Sequence, residues 1–326
     1  MTRPPRTTRL SAIDDATASE IRALLALAED ADGVEAVSES FRLAIGPARE
    51  GVVHLVRLDE DDAVVGYAQV AQAGGPDAVA ELVVDPRHRR RGHGRALLDE
   101  VVALGARSVW AHGMLPAATA LAAAAGLVVT RELYVMSRPL TADDAVDPVL
   151  PQGFSVETFA DRGDVEELRA LNAAAFAHHP EQGRLTRSDL EERIASEWFD
   201  ANGLFYLLDE NAPMDDPPVA FHWTKVEPTT PPAVPRGEVY VVGVDPAYQG
   251  RGLGGPVTSL GLAHLARLGL AEVELYVDGD NTAARRTYTR LGFRDTAVHA
   301  QYGTQPGTPS ADAPSADLTE PDRIAP

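Results

Sequence analysis

Gly243-Val244-Asp245-Pro246-Ala247-Tyr248-Gln249-Gly250-Arg251-Gly252-Leu253-Gly254 decides how this chain is read. An apolar run stops at an Asp-Pro turn, and a glycine-rich loop then opens the helical pattern Val257, Leu260, Leu262, Leu265. Unpaired N–H groups and the positive end of the helix dipole make such a loop an anion site. Glycines let the backbone come close and adopt positive φ. A pyrophosphate suits it. Gly250 to Gly255 formally matches G-x-G-x-x-G, but a dinucleotide site sits on the first strand of its domain, and here several strands and helices are expected upstream. No Gly-Lys-Ser/Thr follows, which excludes an NTPase-type phosphate loop. A purely structural strand-to-helix turn is the plain alternative.

The same stretch occurs earlier. Leu82-Val83-Val84-Asp85-Pro86 leads to Arg89-Arg90-Arg91-Gly92-His93-Gly94, with the Asp-Pro pair at the same interval before the G-x-G. A helical pattern of Ala96, Leu97, Leu98, Val101 and Val102 follows. Further on, Leu121 to Gly126-Leu127 matches Tyr288 to Gly292-Phe293, each a helix closed by glycine and leading into a strand. A shared order of motifs means two copies of one α/β unit. The fold expected is α/β of the α+β type: tandem domains, each a mixed, mostly antiparallel sheet flanked by helices. The boundaries expected are 1–140 for the first domain, 141–151 for an acidic, proline-bounded linker, and 152–302 for the second domain. Residues 303–326 are rich in Pro, Ser, Thr and Asp and are expected to be a disordered tail. Residues 209–218 read as a loop between strands at Leu204–Leu208 and Val219–Lys225.

Composition narrows the chemistry. With 326 residues and 44% hydrophobic content, the chain can build cores for both units. The absence of cysteine excludes disulfides, a thiolate metal site and a cysteine nucleophile. A formal net charge of -20 argues against nucleic acid, whose binding depends on Lys and Arg at phosphates. The run Arg87-His88-Arg89-Arg90-Arg91 could be a solvated face, but its place before Gly92 favours a phosphate cradle. No segment approaches ~18 uninterrupted apolar residues, and residues 1–10 lack the apolar stretch of a secretory signal. The expectation is a cytoplasmic monomer that uses no metal and contacts neither membrane nor nucleic acid. Lys225 is the only lysine among 29 basic residues. Either it survives by chance on the surface, or a compact ammonium is wanted there.

Arg89-x-x-Gly92-x-Gly94 and Gln249-x-x-Gly252-x-Gly254 resemble the Gln/Arg-x-x-Gly-x-Gly/Ala acetyl-CoA motif of the GNAT N-acetyltransferase superfamily. Asn281 to Tyr288, followed by Leu291-Gly292-Phe293, is similar to that superfamily's Asn-x-x-Ala-x-x-x-Tyr-x-x-x-Gly-Phe segment. Phe176 to Gly183, Trp223-Thr224-Lys225 and Glu238 to Val244 resemble the tandem mycothiol acetyltransferase family, over nearly all the chain before the tail.

That resemblance implies two GNAT domains and acetyl transfer from acetyl-CoA, a cosubstrate, to the cysteinyl amine of Cys-GlcN-Ins, a small pseudo-disaccharide. It implies Glu238 as general base, acting through water, and Tyr288 as general acid toward the CoA sulfur. Acetyl-CoA contacts fall on Leu82, Val83, Val84, Arg90, Arg91, Gly92, His93, Gly94 and Arg95 in the first copy. In the second they fall on Val242, Gly243, Val244, Gln249, Gly250, Arg251, Gly252, Leu253, Gly254 and Gly255, and on Asn281, Thr282, Ala283, Ala284, Arg285 and Arg286. A glycine at 243 could relax into a bulge and free an N–H for the oxyanion. Glu39, Glu181, Lys225, Glu238 and Tyr276 are the implied substrate contacts, since carboxylates orient amines and accept hydroxyl protons.

The copies differ where chemistry would occur. Aligning Gly126 with Gly292 puts Ala122 opposite Tyr288 and Leu115 opposite Asn281, and aligning Asp85 with Asp245 puts Ala78 opposite Glu238 and Val83 opposite Gly243. The first copy is therefore expected to bind CoA and not to catalyse. Two rivals stand beside this reading: a tandem acetyltransferase of another small amine, and an acetyl-CoA sensor without turnover.

Overall fold

The structure is a computed structural model that describes residues 3–177, 182–213, 216–228 and 235–304. The first half runs β1 (Arg6–Leu10), α1 (Asp15–Asp32), α2 (Glu39–Leu43), β2 (Val53–Leu58), β3 (Val64–Ala71), β4 (Val79–Val84), α3 (His93–Ala103), β5 (Ser108–Ala111), α4 (Pro116–Ala124) and β6 (Val128–Pro139). The second repeats the order with β7 (Phe154–Thr158), α5 (Phe159–Arg162), α6 (Val165–Ala175), α7 (Arg187–Ile194), β8 (Leu204–Asp209), β9 (Ala220–Lys225), β10 (Gly237–Val244), α8 (Gly254–Arg267), β11 (Glu272–Asp278), α9 (Thr282–Arg290) and β12 (Arg294–Gly303).

Within each half, four strands form an antiparallel meander and the fifth joins in parallel, β4 to β5 and β10 to β11. Alternation along each strand divides the core. Tyr67 of β3 meets Ile21, Leu24 and Leu25 of α1 on one face, while Ala68 meets Leu97, Leu98 and Val101 of α3 on the other. Leu168 and Leu171 of α6 pack on Phe221 and Trp223 in the same way, with Val257 of α8 behind Leu207 and Ala220. Val102, read from sequence as part of the apolar stripe, is 50% exposed.

The two sheets are continuous. Among the described residues they form a single 12-stranded sheet whose centre reads β4-β5-β12-β6-β11-β10. The last strand of each half has crossed over: β6 pairs with β11, and β12 lies between β5 and β6. The expected boundary at residue 140 therefore divides the sequence but not the sheet. Gly303, assigned from sequence to the tail, is the last residue of β12 and pairs with Ser108 and Val128. Residues 305–326 of that tail lie outside the described residues. The expected linker is also tied down. Leu140 N–H donates to the Ala271 carbonyl at 2.9 Å, and Arg138 and Arg267 hold Asp144 and Asp147 at 2.6 and 2.7 Å.

Candidate active site

β10 and β11 pair in parallel from Gly237 to Val239 and then diverge, so among the described residues the far side of Tyr240 to Val244 has no strand partner. β4 separates from β5 in the same way after Glu81. At the end of each splayed strand a glycine-rich loop turns into a helix whose first N–H groups have no side-chain cap, α3 after Gly92 and α8 after Leu253. Gly92, Gly250 and Gly252 sit at φ +87°, +78° and +78°, which favours glycine. Arg89 and Gln249 hold the loops in matching fashion, each donating to the last strand carbonyl, Val84 O and Val244 O, at 3.1 Å. Arg89 is also fixed by both oxygens of Asp32 at 2.7 Å. The side chains of His93 and Leu253 point into the core, so their backbone N–H groups are what they can offer an anion.

The second copy departs from the first in the strand itself. Between Val239 and Val241 the β9–β10 register slips, leaving Tyr240 as an extra residue, whereas β3–β4 pairs without interruption. The bulge is thus at Tyr240 and not at Gly243. Gly243 is required for packing: a Cβ there would overlap the Phe221 ring and meet the Ala175 Cβ at 3.0 Å. The slip also corrects the alignment of the copies. Lys225 pairs with Glu238, as Ala71 pairs with Val79, so Val79 rather than Ala78 is the counterpart of Glu238.

Around that pair a charged cluster forms between the halves. Lys225, 6% exposed, lies 2.9 Å from Glu39, 2.7 Å from Glu227 and 3.8 Å from Glu238. Its ammonium also sits 5.2 and 5.3 Å from the ring centres of Trp198 and Tyr240. Its three donors on a single nitrogen can be shared among carboxylates that converge from different directions. Burial opposes its charge, but Glu238 and Glu39 hold it above the ordinary lysine range. Tyr240, the bulge residue, donates to Glu39 Oε2 at 2.7 Å and accepts from Arg193 Nε at 2.8 Å.

The two carboxylates divide their roles. Burial would raise the Glu39 pKa, yet Lys225 and Tyr240 pull it below its ordinary value, so it stays an anion. Glu238 is pushed up to about 8, chiefly by burial, with Lys225 opposing and Glu39, Glu274 and Glu35 adding to the rise. Tyr276 of β11 is held protonated by burial, and next by the charges of Glu35 and Glu238. Of the substrate contacts expected from sequence, Glu39, Lys225, Glu238 and Tyr276 come together here; Glu181 lies outside the described residues.

α9 brings the remaining expected group. Tyr288 packs edge-on against Phe293, 5.9 Å between centroids, and burial pushes its hydroxyl up to about 12. It shares an apolar cluster with Val242 of the splayed strand. Asn281, expected at the cosubstrate, spends its side chain capping α9 through the Ala284 N–H at 3.1 Å. Arg285 stacks 3.9 Å from the Tyr134 ring centre and pairs with Asp295 at 2.8 Å, while Thr282 and Arg286 face an open groove on the outer side of α9. Leu115 caps α4 without a side-chain bond, so its equivalence to Asn281 holds in position but not in chemistry.

In the first half the corresponding space is open. A cavity of about 400 Å³ lies between Leu82–Val84, Gly92, Gly94 and α4. α4 faces the cavity with Ala117, Ala118, Ala120, Leu121 and Ala124, and buried Ala122 stands where α9 carries Tyr288. Arg90 faces this cavity with φ +62°, while Arg95 is drawn to Asp99 at 2.7 Å.

Residues 166–293 match the Acetyltransferase (GNAT) family, and residues 50–129 match the Acetyltransferase (GNAT) domain. The chain is 46% identical over 314 residues to the mycothiol acetyltransferase of Streptomyces coelicolor, covering 93% of this chain and 97% of that one. With the mycothiol acetyltransferase of Streptomyces griseus it shares 48% over 301 residues, 91% and 94% of the two chains. This chain belongs to the mycothiol acetyltransferase family. Its fold is shared with a tandem GNAT protein from the clavulanic acid biosynthesis pathway, at a TM-score of 0.66 and 20% identity over 91% of this chain and 97% of that one. A GCN5-related N-acetyltransferase from Sphaerobacter thermophilus gives 0.63 and 22% over 91% and 94%.

As a mycothiol acetyltransferase family member the chain is an acetyl-CoA-dependent acetyltransferase. Four polar groups of its cleft escaped the sequence: Tyr240, Arg193, Glu227 and Glu35. Tyr240 reads as an ordinary member of an apolar strand, because the sequence points to Gly243 as the place for a bulge. Arg193 reaches the cleft through tertiary packing, for which local spacing carries no signal, whereas Glu227 lies two residues beyond Lys225 and bonds it directly.

Proposed function

We propose that the chain moves the acetyl group of acetyl-CoA to the cysteinyl amine of Cys-GlcN-Ins, and that the second half does the chemistry. The observation that carries this reading is Glu238, at the mouth of a splayed, bulged strand and beside the Lys225–Glu39 pair, with its pKa pushed up to about 8. An α-amine has a pKa of ~7.7–8.0, so a base of that strength is matched to it. A thioester is already activated, and the protein has three tasks: hold the amine, take its proton and return one to the leaving sulfur. Glu39 and Glu227 attract the amine and accept hydroxyls, Lys225 donates, and Glu238 accepts the proton through water. Tyr288, kept protonated by burial, delivers a proton to the thiolate. Uncapped N–H groups of Gly252 to Gly255 and the free edge of Val242 to Val244 receive the pyrophosphate and pantetheine arm of the cosubstrate.

The first half retains the loop, the splay and an apolar cavity but has Val79 and Ala122 in place of Glu238 and Tyr288. It holds acetyl-CoA without transferring it. A CoA-release assay with Cys-GlcN-Ins beside free cysteine and glucosaminylinositol tests the assignment. Turnover confined to Cys-GlcN-Ins is expected. Equal rates with unrelated amines would replace it with a broader acetyltransferase, and no CoA release with any amine would leave an acetyl-CoA sensor.

A further inference from the structure

Glu81 is a carboxylate 2% exposed, in the middle of β4, in the half that lacks the proton-transfer groups. Burying such a group is costly unless it is fully paired. It accepts from the Ser38 backbone N–H at 2.7 Å and the Ser38 hydroxyl at 2.8 Å, and His112 Nε2 faces it at 3.4 Å. The other nitrogen of His112, Nδ1, lies 2.7 Å from Nδ1 of His299 on β12. Two ring nitrogens at that separation need one donor and one acceptor. Burial alone would lower the His112 pKa, yet Glu81 and Glu35 hold it above the ordinary value, with Arg42 opposing. His299 is pushed down to about 4 by burial and by His112. The Nδ1–Nδ1 contact fits a proton held on His112 and accepted by His299, while His112 Nε2 faces Glu81 at ion-pair distance without a hydrogen bond.

Both ends of this chain of contacts stop one step from the cleft. Ser38 precedes Glu39, whose carboxylate holds Lys225 and Tyr240. The His299 ring stands edge-on to Tyr276, centroids 5.7 Å apart. We propose that Glu81 and His112 are positioning residues for the amine substrate, fixing the segment that carries Glu39 and, through His299, the ring of Tyr276. The unit spans the seam where β12 has entered beside β5, and so sets the distance between the two banks of the cleft. It touches no reacting atom. This inference rests on the assignment of Glu39 and Tyr276 to the amine site.

The test is steady-state kinetics on the full chain with Cys-GlcN-Ins and acetyl-CoA varied separately, alongside melting temperature. His112→Phe keeps a flat ring and loses both ring nitrogens, and His299→Leu loses the nitrogen that meets them. Each is expected to raise KM for the amine about tenfold, as sub-ångström misplacement of binding groups does, with kcat and the KM for acetyl-CoA within a factor of about two. His299→Asn keeps a neutral acceptor and should stay near the wild type. Glu81→Gln, which preserves shape while removing the charge that His112 faces, should move the amine KM in the same direction should His112→Phe fail to fold. An unchanged amine KM in folded His299→Leu and Glu81→Gln overturns the proposal, as does a rise confined to the acetyl-CoA KM. A wild-type chain that does not turn over Cys-GlcN-Ins at all would instead overturn the amine-site assignment itself.

Discussion

β4 and β10 occupy the same place in their halves, leave their parallel neighbours at the same point and end in the same kind of loop, yet one carries an extra residue. Tyr240 interrupts the β9–β10 ladder, whereas Glu81 and its neighbours continue the β3–β4 ladder without a break. The insertion turns the Tyr240 hydroxyl toward Glu39 and Arg193, and the preceding turn of strand presents Glu238 opposite Lys225. In the first half the positions of Glu238 and Lys225 are Val79 and Ala71, and alanines of α4 form part of the wall of the open cavity. The loop geometry is therefore kept in both halves, while the residues proposed to move protons are present only in the second. On the proposed assignment, a bulge and a few side chains separate a holding site from a working one.

The largest expected break between the halves comes from a paired substitution. Gly252 and Gly92 both have positive φ, and a Cβ added at either would meet nothing within 4 Å, so glutamate carries a similar backbone cost at each, about 1 kcal/mol. Gly252→Glu should abolish CoA release, because its carboxylate would stand in the loop proposed to receive pyrophosphate. Gly92→Glu should retain turnover and lose one acetyl-CoA site by calorimetry. Loss of turnover in a folded Gly92→Glu would show that the first loop is needed for chemistry.

Next in size is Tyr288→Phe, expected to lower kcat roughly 10²–10⁴-fold with acetyl-CoA binding unchanged. Measured kcat within twofold of the wild type would remove Tyr288 as the acid. For Glu238→Gln the expected loss is about a hundredfold at pH 8.5 and shrinks toward lower pH. In the wild type, kcat/KM should climb with pH and level above about 8, where Glu238 is ionised. A parallel profile in the mutant would count against the base.

A smaller effect concerns stability. The Glu238 pKa is raised from 4.5 to about 8 on folding, so the folded state holds a proton that the unfolded chain releases. Its contribution is full below pH 4.5 and is lost as pH rises through about 8, at no more than about 1.4 kcal/mol per pH unit. Glutamine mimics the protonated form. The wild type should therefore melt progressively below Glu238→Gln between those limits, and superimposable curves would mean that Glu238 ionises freely.

Much of this comparison could be read before the structure, because the glycine loops, the Asp-Pro turns and the α4/α9 pair are local patterns with fixed spacing. Lys225 stands out by composition, and it lies buried among three carboxylates rather than on the surface. What local spacing could not carry was register. Counting back from Asp245 without a gap placed Ala78 opposite Glu238, one residue away from Val79, because a bulge leaves no mark in a run of valines. The Glu81–His112–His299 contacts were equally hidden, since their members are joined only by the crossing of β12. Asn281 fitted the motif, but helix capping is a second, equally physical reason for asparagine at that point.

The crossing itself bears on how the chain is made. Ser108 to Ala111 take as their neighbour Ala300 to Gly303, and Thr119 meets the Tyr302 hydroxyl at 3.1 Å. During synthesis the first half emerges with β5 bare along one edge, and it stays so until the final strand leaves the ribosome. Pairing across such a sequence interval is slow to nucleate, and an exposed edge recruits other chains. The completed sheet, by contrast, cannot release either half without withdrawing β12 from between two strands. Unfolding should accordingly be a single cooperative event for both halves, and a nascent chain stalled before β12 should depend on holdase chaperones.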